Sequence, residues 1–226
     1  MKTTISSGHG KHVAGSSSII DEVTEARKVV NRVGEIMKEL GEAPNIFHDD
    51  TSKTQKTNVN TIVKYHNSTT RDKDVSIHFN ASKKTDKPVG VEVFYVTEAN
   101  KELASKVSKA ISDASGLKDR GAKHNSNLGF LNGSQKGAIL IEVCFVDSSV
   151  DVELYKKNFE AICIAIAETL AEKKYTKAES TVDSNEGKTL YYRVIAGSYN
   201  DKYNAQAMQK RLSQQGISTF LEAVYL

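Results

Sequence analysis

Residues 138–146 read AILIEVCFV, an apolar run interrupted once, by Glu142. A continuous run of this length, rich in Ile and Val, reads as a strand buried on both faces of a parallel sheet. A carboxylate inside such a strand is costly unless it is paired, protonated or beside a metal. Two readings therefore stand side by side. Glu142 is either a core residue satisfied by an Arg or Lys, or an acid–base group whose proton affinity the surroundings raise.

Working outward, strands alternate with helices. Residues 2–6 form a short strand that runs into the loop Ser7-Gly8-His9-Gly10. Residues 22–40 form an amphipathic helix, with Val23, Ala26, Val30, Val33, Met37 and Leu40 near a 3.6-residue period and Gly41 as the stop. A strand at 45–47 leads to His48-Asp49-Asp50, and 59–66 read as a helix. DVSIHF at 74–79 and VGVEVFYV at 89–96 are further strands, with a helix over 98–114, a loop over 116–127 and a short element at 128–131. After the opening run comes one long helix over 150–172. This order predicts an α/β fold, a mostly parallel twisted sheet with helices on both faces. Ligands of such folds sit outside the carboxyl ends of the strands. His9 falls just past the first strand, His78 near the end of the third, and Glu142 past the middle of the last.

The chain has 226 residues, 38% hydrophobic and 26% charged, enough for one sizeable domain and a small extra module. Its net charge of +3 gives no field that argues for nucleic acid, although mild basicity suits a polyanionic surface such as a bacterial wall. Cys144 and Cys163 lie in apolar runs and read as reduced core thiols. No apolar stretch approaches the ~18 residues of a membrane span, and MKTTISSGHGK lacks the apolar centre of a signal peptide.

Six histidines are present. His12, His48, His66 and His124 read as surface or satisfied core residues. His9 and His78 differ, because strands of one sheet would deliver both to a common edge. Hydrolytic zinc needs three protein ligands and an open position, which two imidazoles and a carboxylate satisfy. The carboxylates near His9 are Asp21, Glu22 and Glu25. Glu22 and Glu25 share a helix face, so spacing does not separate them, and acidic residues in a first turn also complement the helix dipole.

SGHGK at 7–11, Glu22 ahead of its helix, SIHFNAS at 76–82 and ILIEVCFVD at 139–147 form an ordered set. That set resembles the family-3 N-acetylmuramoyl-L-alanine amidases over about residues 1–173, and phage endolysins of Gram-positive hosts in particular. The resemblance implies hydrolysis of the amide between N-acetylmuramic acid and the L-alanine of the stem peptide. It implies one Zn²⁺ held by His9, Glu22 and His78, with Glu142 as the catalytic carboxylate and Asn80 beside the site against the substrate. Glu22 is preferred to Glu25 because the family places its ligand about one helix length before the Gly that ends the helix, here Gly41. The chain departs from the family at Ser6-Ser7, where many members carry Asp-Pro, and at Lys11, where many carry a second Gly.

Residues 174–188 are polar and read as a linker. Residues 189–226 hold a strand (189–199), a helix (204–215) ended by Gly216 and a strand (217–225). This single βαβ unit resembles half of a SPOR domain, a module that binds peptidoglycan glycan strands. The alternative is a small appendage without a ligand. One unit leaves a strand edge open, so a homodimer through residues 189–226 is expected, with packing on its own catalytic domain or pairing only on the wall as the competing arrangements. The implied partner is bacterial peptidoglycan, with neither nucleic acid nor membrane insertion. The expected route is synthesis in the cytoplasm without a signal peptide, then action on the wall after phage holin-dependent release or mother-cell lysis. Two rival functions remain: another zinc amidohydrolase or carboxypeptidase on a similar fold, and a non-catalytic wall-binding protein.

Overall fold

The apolar run at 138–146 lies in a central strand of the sheet. The strands are β1 (Thr3–Ser7), β2 (Asn45–Phe47), β3 (Lys73–Asn80), β4 (Val91–Tyr95), β5 (Asp119–His124) and β6 (Gly137–Phe145). They form one sheet in the order β2-β1-β3-β6-β4-β5. β6 lies parallel to β3 and antiparallel to β4, and every other pair is parallel. These elements belong to a computed structural model that describes residues 2–176 and 202–217. The chain divides into two compact units, residues 1–177 and 178–226.

The helices of the first unit are α1 (Glu22–Glu39), α2 (Gln55–Ser68), α3 (Lys101–Ser115), α4 (Gly129–Gly133), α5 (Ser149–Lys157) and α6 (Phe159–Ala171). Alternation along the strands sorts side chains to two faces. Ile5, Val75, Ile77, Ile139 and Ile141 pack with Val29 and Val33 of α1, Val107 and Ile111 of α3, and Ile162 and Ile166 of α6. Ala138 and Leu140 face the other way, onto Ile62 of α2 and Phe130 and Leu131 of α4. Both faces of β6 are thus covered, as its nearly continuous apolar run requires, at roughly 1.5–3 kcal/mol for each fully buried aliphatic side chain.

A bulge near the end of β6 separates core parity from site parity. His78 pairs with Glu142, but Asn80 pairs with Phe145, so three residues of β6 follow two of β3. Val143 and Cys144 both enter the core behind the sheet. Glu142 and Phe145 are left on the same side as His78.

α1 starts and stops as its sequence signals predict. The Asp21 side chain accepts the Thr24 N–H at the N-cap. At the other end Gly41, at φ +78°, lets Glu42 N–H reach the Met37 carbonyl and its own N–H reach Lys38, a Schellman closure.

Three boundaries differ from expectation. Residues 119–124, expected as loop, form the edge strand β5. DRGAKH has no alternating pattern, and it is held by its ladder to β4 and by Ala122 against the core. The long helix expected over 150–172 is broken at Asn158, whose backbone leaves helical angles (φ −114°, ψ 22°). The Asn158 side chain donates to the Ser115 and Leu154 carbonyls, both at 3.0 Å. α2 begins at Gln55, four residues before its first aliphatic residue, because Thr54 and Thr57 form a capping box there.

In the second unit, helix α7 (Lys202–Gln214) ends with Ile217 N–H on the Leu212 carbonyl at 3.0 Å. The linker from residue 177 on and the expected strands at 189–199 and 217–225, Ile217 excepted, lie outside the described residues, as does most of the expected dimer surface. No helix among the described residues is long and apolar enough to cross a membrane.

Candidate active site

Three side chains far apart in sequence meet at the carboxyl ends of β1 and β3. His9 follows β1, His78 stands near the end of β3, and Glu22 is the first residue of α1. Glu22 Oε1 lies 2.9 Å from His78 Nδ1 and 3.6 Å from His9 Nε2. The same oxygen accepts the Phe79 N–H at 3.0 Å, and Oε2 accepts the Ser16 N–H at 2.6 Å. The two imidazoles meet edge to face, centroids 5.2 Å apart. One potential ligand atom from each of the three lies within 4.8 Å of the others, and among the described residues no other such group of His, Cys, Asp or Glu forms.

Glycine makes this closeness possible. A Cβ on Gly8 would stand 1.8 Å from His78 Nε2, and one on Gly15 would stand 2.6 Å from Glu22 Oε2. The first loop therefore wraps the trio with bare backbone.

The electrostatics follow from burial set against pairing. Burial opposes charge on Glu22, but the His78 hydrogen bond, the fields of both imidazoles and the Ser16 N–H hold its pKa down to about 2. Burial lowers the pKa of His9, with Glu22 partly offsetting it. For His78 burial acts downward as well, yet the bond to Glu22 and the field of Glu142 raise it overall. His9 Nδ1 is buried and has no hydrogen-bond partner. Two imidazoles and an ionised carboxylate, with one ring nitrogen left unsatisfied, are a donor set that fits a zinc ion with its fourth position open.

Glu142 sits directly across from His78 in the β3–β6 pair. No Arg or Lys pairs with it among the described residues, and its Oε2 is buried without a partner. The reading as a satisfied core Glu therefore fails. Burial pushes its pKa up to about 7; His78 acts downward, and Glu22 and Glu92 add to the rise.

The remaining candidates are placed elsewhere. Glu25 accepts from Tyr155 Oη at 2.8 Å and from Lys28 Nζ at 2.8 Å, which commits it outside the trio and separates it from Glu22. Asp21 is spent on the helix cap. Asn80 stands beside the site, its Nδ2 donating to Glu92 Oε1 at 2.9 Å and its Oδ1 accepting the Ala81 N–H. His66 is a satisfied core residue between Asp74 and Ser6. His48 bonds Ser7 and Asn31, His124 bonds the Val96 carbonyl, and His12 is exposed. Cys144 and Cys163 are buried free thiols.

Two residues at the site were missed from sequence. Glu92 lies opposite Glu142 in the β4–β6 pair, and Arg120 donates to it at 2.6 Å. Glu92 carried the same signal as Glu142, a single carboxylate in an apolar strand. Arg120 lies in the unpatterned stretch that became β5.

A mostly parallel α/β sheet thus brings two imidazoles and two carboxylates together at one rim, three of them close enough to hold one metal ion. The family model for N-acetylmuramoyl-L-alanine amidase matches residues 4–172, and the chain belongs to that family. The SPOR-domain model matches residues 165–222, beginning inside α6. An uncharacterised 38.4 kDa protein of Clostridium perfringens is 34% identical over 165 residues, which make up 70% of this chain and 47% of that protein. With a second C. perfringens protein covered to 58%, the chain spans about half the length of the curated relatives it matches. The catalytic domain of the CD27L endolysin targeting Clostridia difficile shares the fold, with a TM-score of 0.71 and 24% identity over 78% of this chain and 99% of that one. The catalytic domain of CwlV, an N-acetylmuramoyl-L-alanine amidase from Bacillus (Paenibacillus) polymyxa, gives a TM-score of 0.62 at 25% identity, covering 76% of this chain and 97% of its own.

Proposed function

We propose that this chain hydrolyses the amide between N-acetylmuramic acid and the L-alanine of peptidoglycan stem peptides. In this reading one Zn²⁺ is held by His9, Glu22 and His78, and Glu142 carries the proton. The observation that carries the reading is the placement of Glu142: an unpaired carboxylate across from His78, beside a two-imidazole, one-carboxylate trio, in a chain of the amidase family. A bound Zn²⁺ supplies Lewis acidity that acidifies water and polarises the scissile carbonyl.

The residues supply the rest. The Ser16 and Phe79 N–H groups fix both oxygens of Glu22, and Glu22 in turn orients His78. Glu142, with a pKa near 7 in the metal-free protein, is poised to accept a proton from the attacking water. It then returns that proton to the departing nitrogen of L-alanine. Asn80 lines the neighbouring wall, its orientation fixed by Glu92 and Ala81. The SPOR match supports glycan-strand binding by the second unit, which would keep the enzyme on the wall. Pairing of two copies through residues 189–226 belongs to the same reading, and sedimentation of the full chain tests it.

The decisive experiment pairs metal analysis with end-group analysis of digested purified wall. The wild type is expected to hold one zinc per chain and to release peptides with a free L-alanine amino group. Glu142→Ala should keep the zinc and lose cleavage, and His78→Ala should lose both. Full cleavage by Glu142→Ala sinks the assignment. Ends other than L-alanine indicate a different zinc hydrolase, and wall binding without zinc or cleavage indicates a binding protein.

A further inference from the structure

On the sheet face that carries His78 and Glu142, the same row continues into β4 at Glu92. Directly opposed residues of an antiparallel pair have Cβ atoms about 5 Å apart. A second carboxylate, only 4% exposed, therefore stands beside Glu142. Its Oε2 accepts from Arg120 Nε at 2.6 Å and lies 3.2 Å from Lys123 Nζ. One negative charge thus faces two positive ones.

Arg120 is oriented twice. Nε is fixed by Glu92, and the guanidinium lies over the Phe145 ring, 5.2 Å from its centroid. Arg–carboxylate pairs are frequently bidentate, with two parallel N–H groups presented to the carboxylate. Arg120 spends one donor on Glu92, and its Nη1 and Nη2 groups have no protein partner among the described residues. Its side chain keeps 30% of its surface open to solvent. A planar, pre-oriented, partly exposed fork with an excess positive charge behind it matches the geometry of a carboxylate.

We infer that Arg120, backed by Lys123, recognises an ionised carboxylate on the stem-peptide residue that follows L-alanine, in preference to the carboxamide. The inference rests on the amidase reading, which places the scissile amide at Glu142. An extended peptide advances about 3.3–3.6 Å per residue, so a group one residue beyond L-alanine lies about 7 Å from the scissile bond. Glu92 faces Glu142 across the strand pair, and Arg120 is the next side chain outward, bonded to Glu92 at 2.6 Å.

The test uses two synthetic muramoyl peptides that differ only in a carboxylate or a carboxamide on the residue after L-alanine. kcat/KM is measured on both for the full-length, zinc-loaded wild type, Arg120→Gln, Arg120→Lys and Lys123→Gln. The wild type should favour the carboxylate by on the order of tenfold. Arg120→Gln should bring the ratio close to one, chiefly through KM, with Arg120→Lys and Lys123→Gln between. If Arg120 merely neutralises Glu92, its loss slows both substrates equally and leaves the ratio unchanged. A wild type without preference, or an unchanged ratio in Arg120→Gln, overturns the inference while the amidase reading stands. Should Arg120→Gln fail to fold, the wild-type preference and the Arg120→Lys ratio decide. A wild type that cleaves neither peptide overturns the amidase reading, and this inference with it.

Discussion

Replacing Gly8 by Ala isolates the geometry of the proposed metal site. The backbone at Gly8 is not left-handed, so alanine brings no conformational strain there. Its Cβ, however, would lie 1.8, 2.0 and 2.4 Å from three atoms of the His78 ring. Ordinary contact begins near 3.4 Å, so ring and methyl must separate by about 1.6 Å. Neither side retreats easily. The Gly8 N–H is bonded to the Ile77 carbonyl at 2.9 Å, and His78 Nδ1 is held at 2.9 Å by Glu22. Metal–ligand distances tolerate about 0.2 Å, so a shift of this size removes His78 as a ligand. Zinc affinity should fall by about 100-fold or more, given that disturbing even an outer partner costs about 10–100-fold. The global stability cost should be only about 1–3 kcal/mol, as for other overpacked sites. Competition with a chelator gives the affinity, and urea unfolding of the metal-free protein gives the stability. Gly41→Ala is the control: at φ +78° it is strained by about 1–2 kcal/mol, but its Cβ meets nothing within 4 Å and should leave zinc affinity alone. A Gly8→Ala protein that binds zinc like the wild type would show that the trio is not the metal site.

Two further outcomes concern protonation. The raised pKa of Glu142 means that the metal-free folded state favours the protonated acid. Stability should therefore fall as pH rises from about 4.5 to about 7, by at most roughly 3 kcal/mol, and Glu142→Gln should remove that slope in urea titrations across this range. Asp74 behaves in the opposite sense. Burial opposes its charge, but His66 at 2.8 Å and Arg71 at 2.7 and 2.9 Å hold its pKa below the usual value. Its stabilisation is present above pH ~4 and lost as pH falls through the lowered folded pKa. Asp74→Ala should cost about 3–5 kcal/mol at pH 7 by leaving Arg71 buried and unpaired. The gap to wild type should narrow below about pH 4, and an undiminished gap at pH 3 would refute the pairing.

The legible parts of the chain were those where one local signal was strong. The apolar run of β6, the 3.6-residue stripe of α1 and the Gly41 stop all carry their structure in short stretches. β5 does not, because DRGAKH is a strand only through its ladder to β4, a contact no local pattern records. The break at Asn158 depends on a carbonyl of α3, 43 residues away. At the site, spacing left Glu22 and Glu25 equivalent. Tertiary structure separates them, since Tyr155 takes Glu25 and the two histidines take Glu22. Glu92 was visible as an anomaly in its strand, but its meaning needed the antiparallel register with β6, which alternation alone does not encode.

The reversed course of β4 has a consequence of its own. Glu92 is the second residue of its strand, and Arg120 the second of β5, yet both arrive level with the far end of β6. Had β4 and β5 run with the other four strands, both would stand at the opposite rim of the sheet. The site is thus assembled from two parts of the chain: the segments that leave β1 and β3 bring His9, Glu22 and His78, and the beginnings of β4 and β5 bring Glu92 and Arg120. The segment at 81–90 joins them along one rim without crossing the sheet. Under the proposed function, lengthening it or recasting the first residues of β4 and β5 would change the second part while leaving His9, Glu22 and His78 in place.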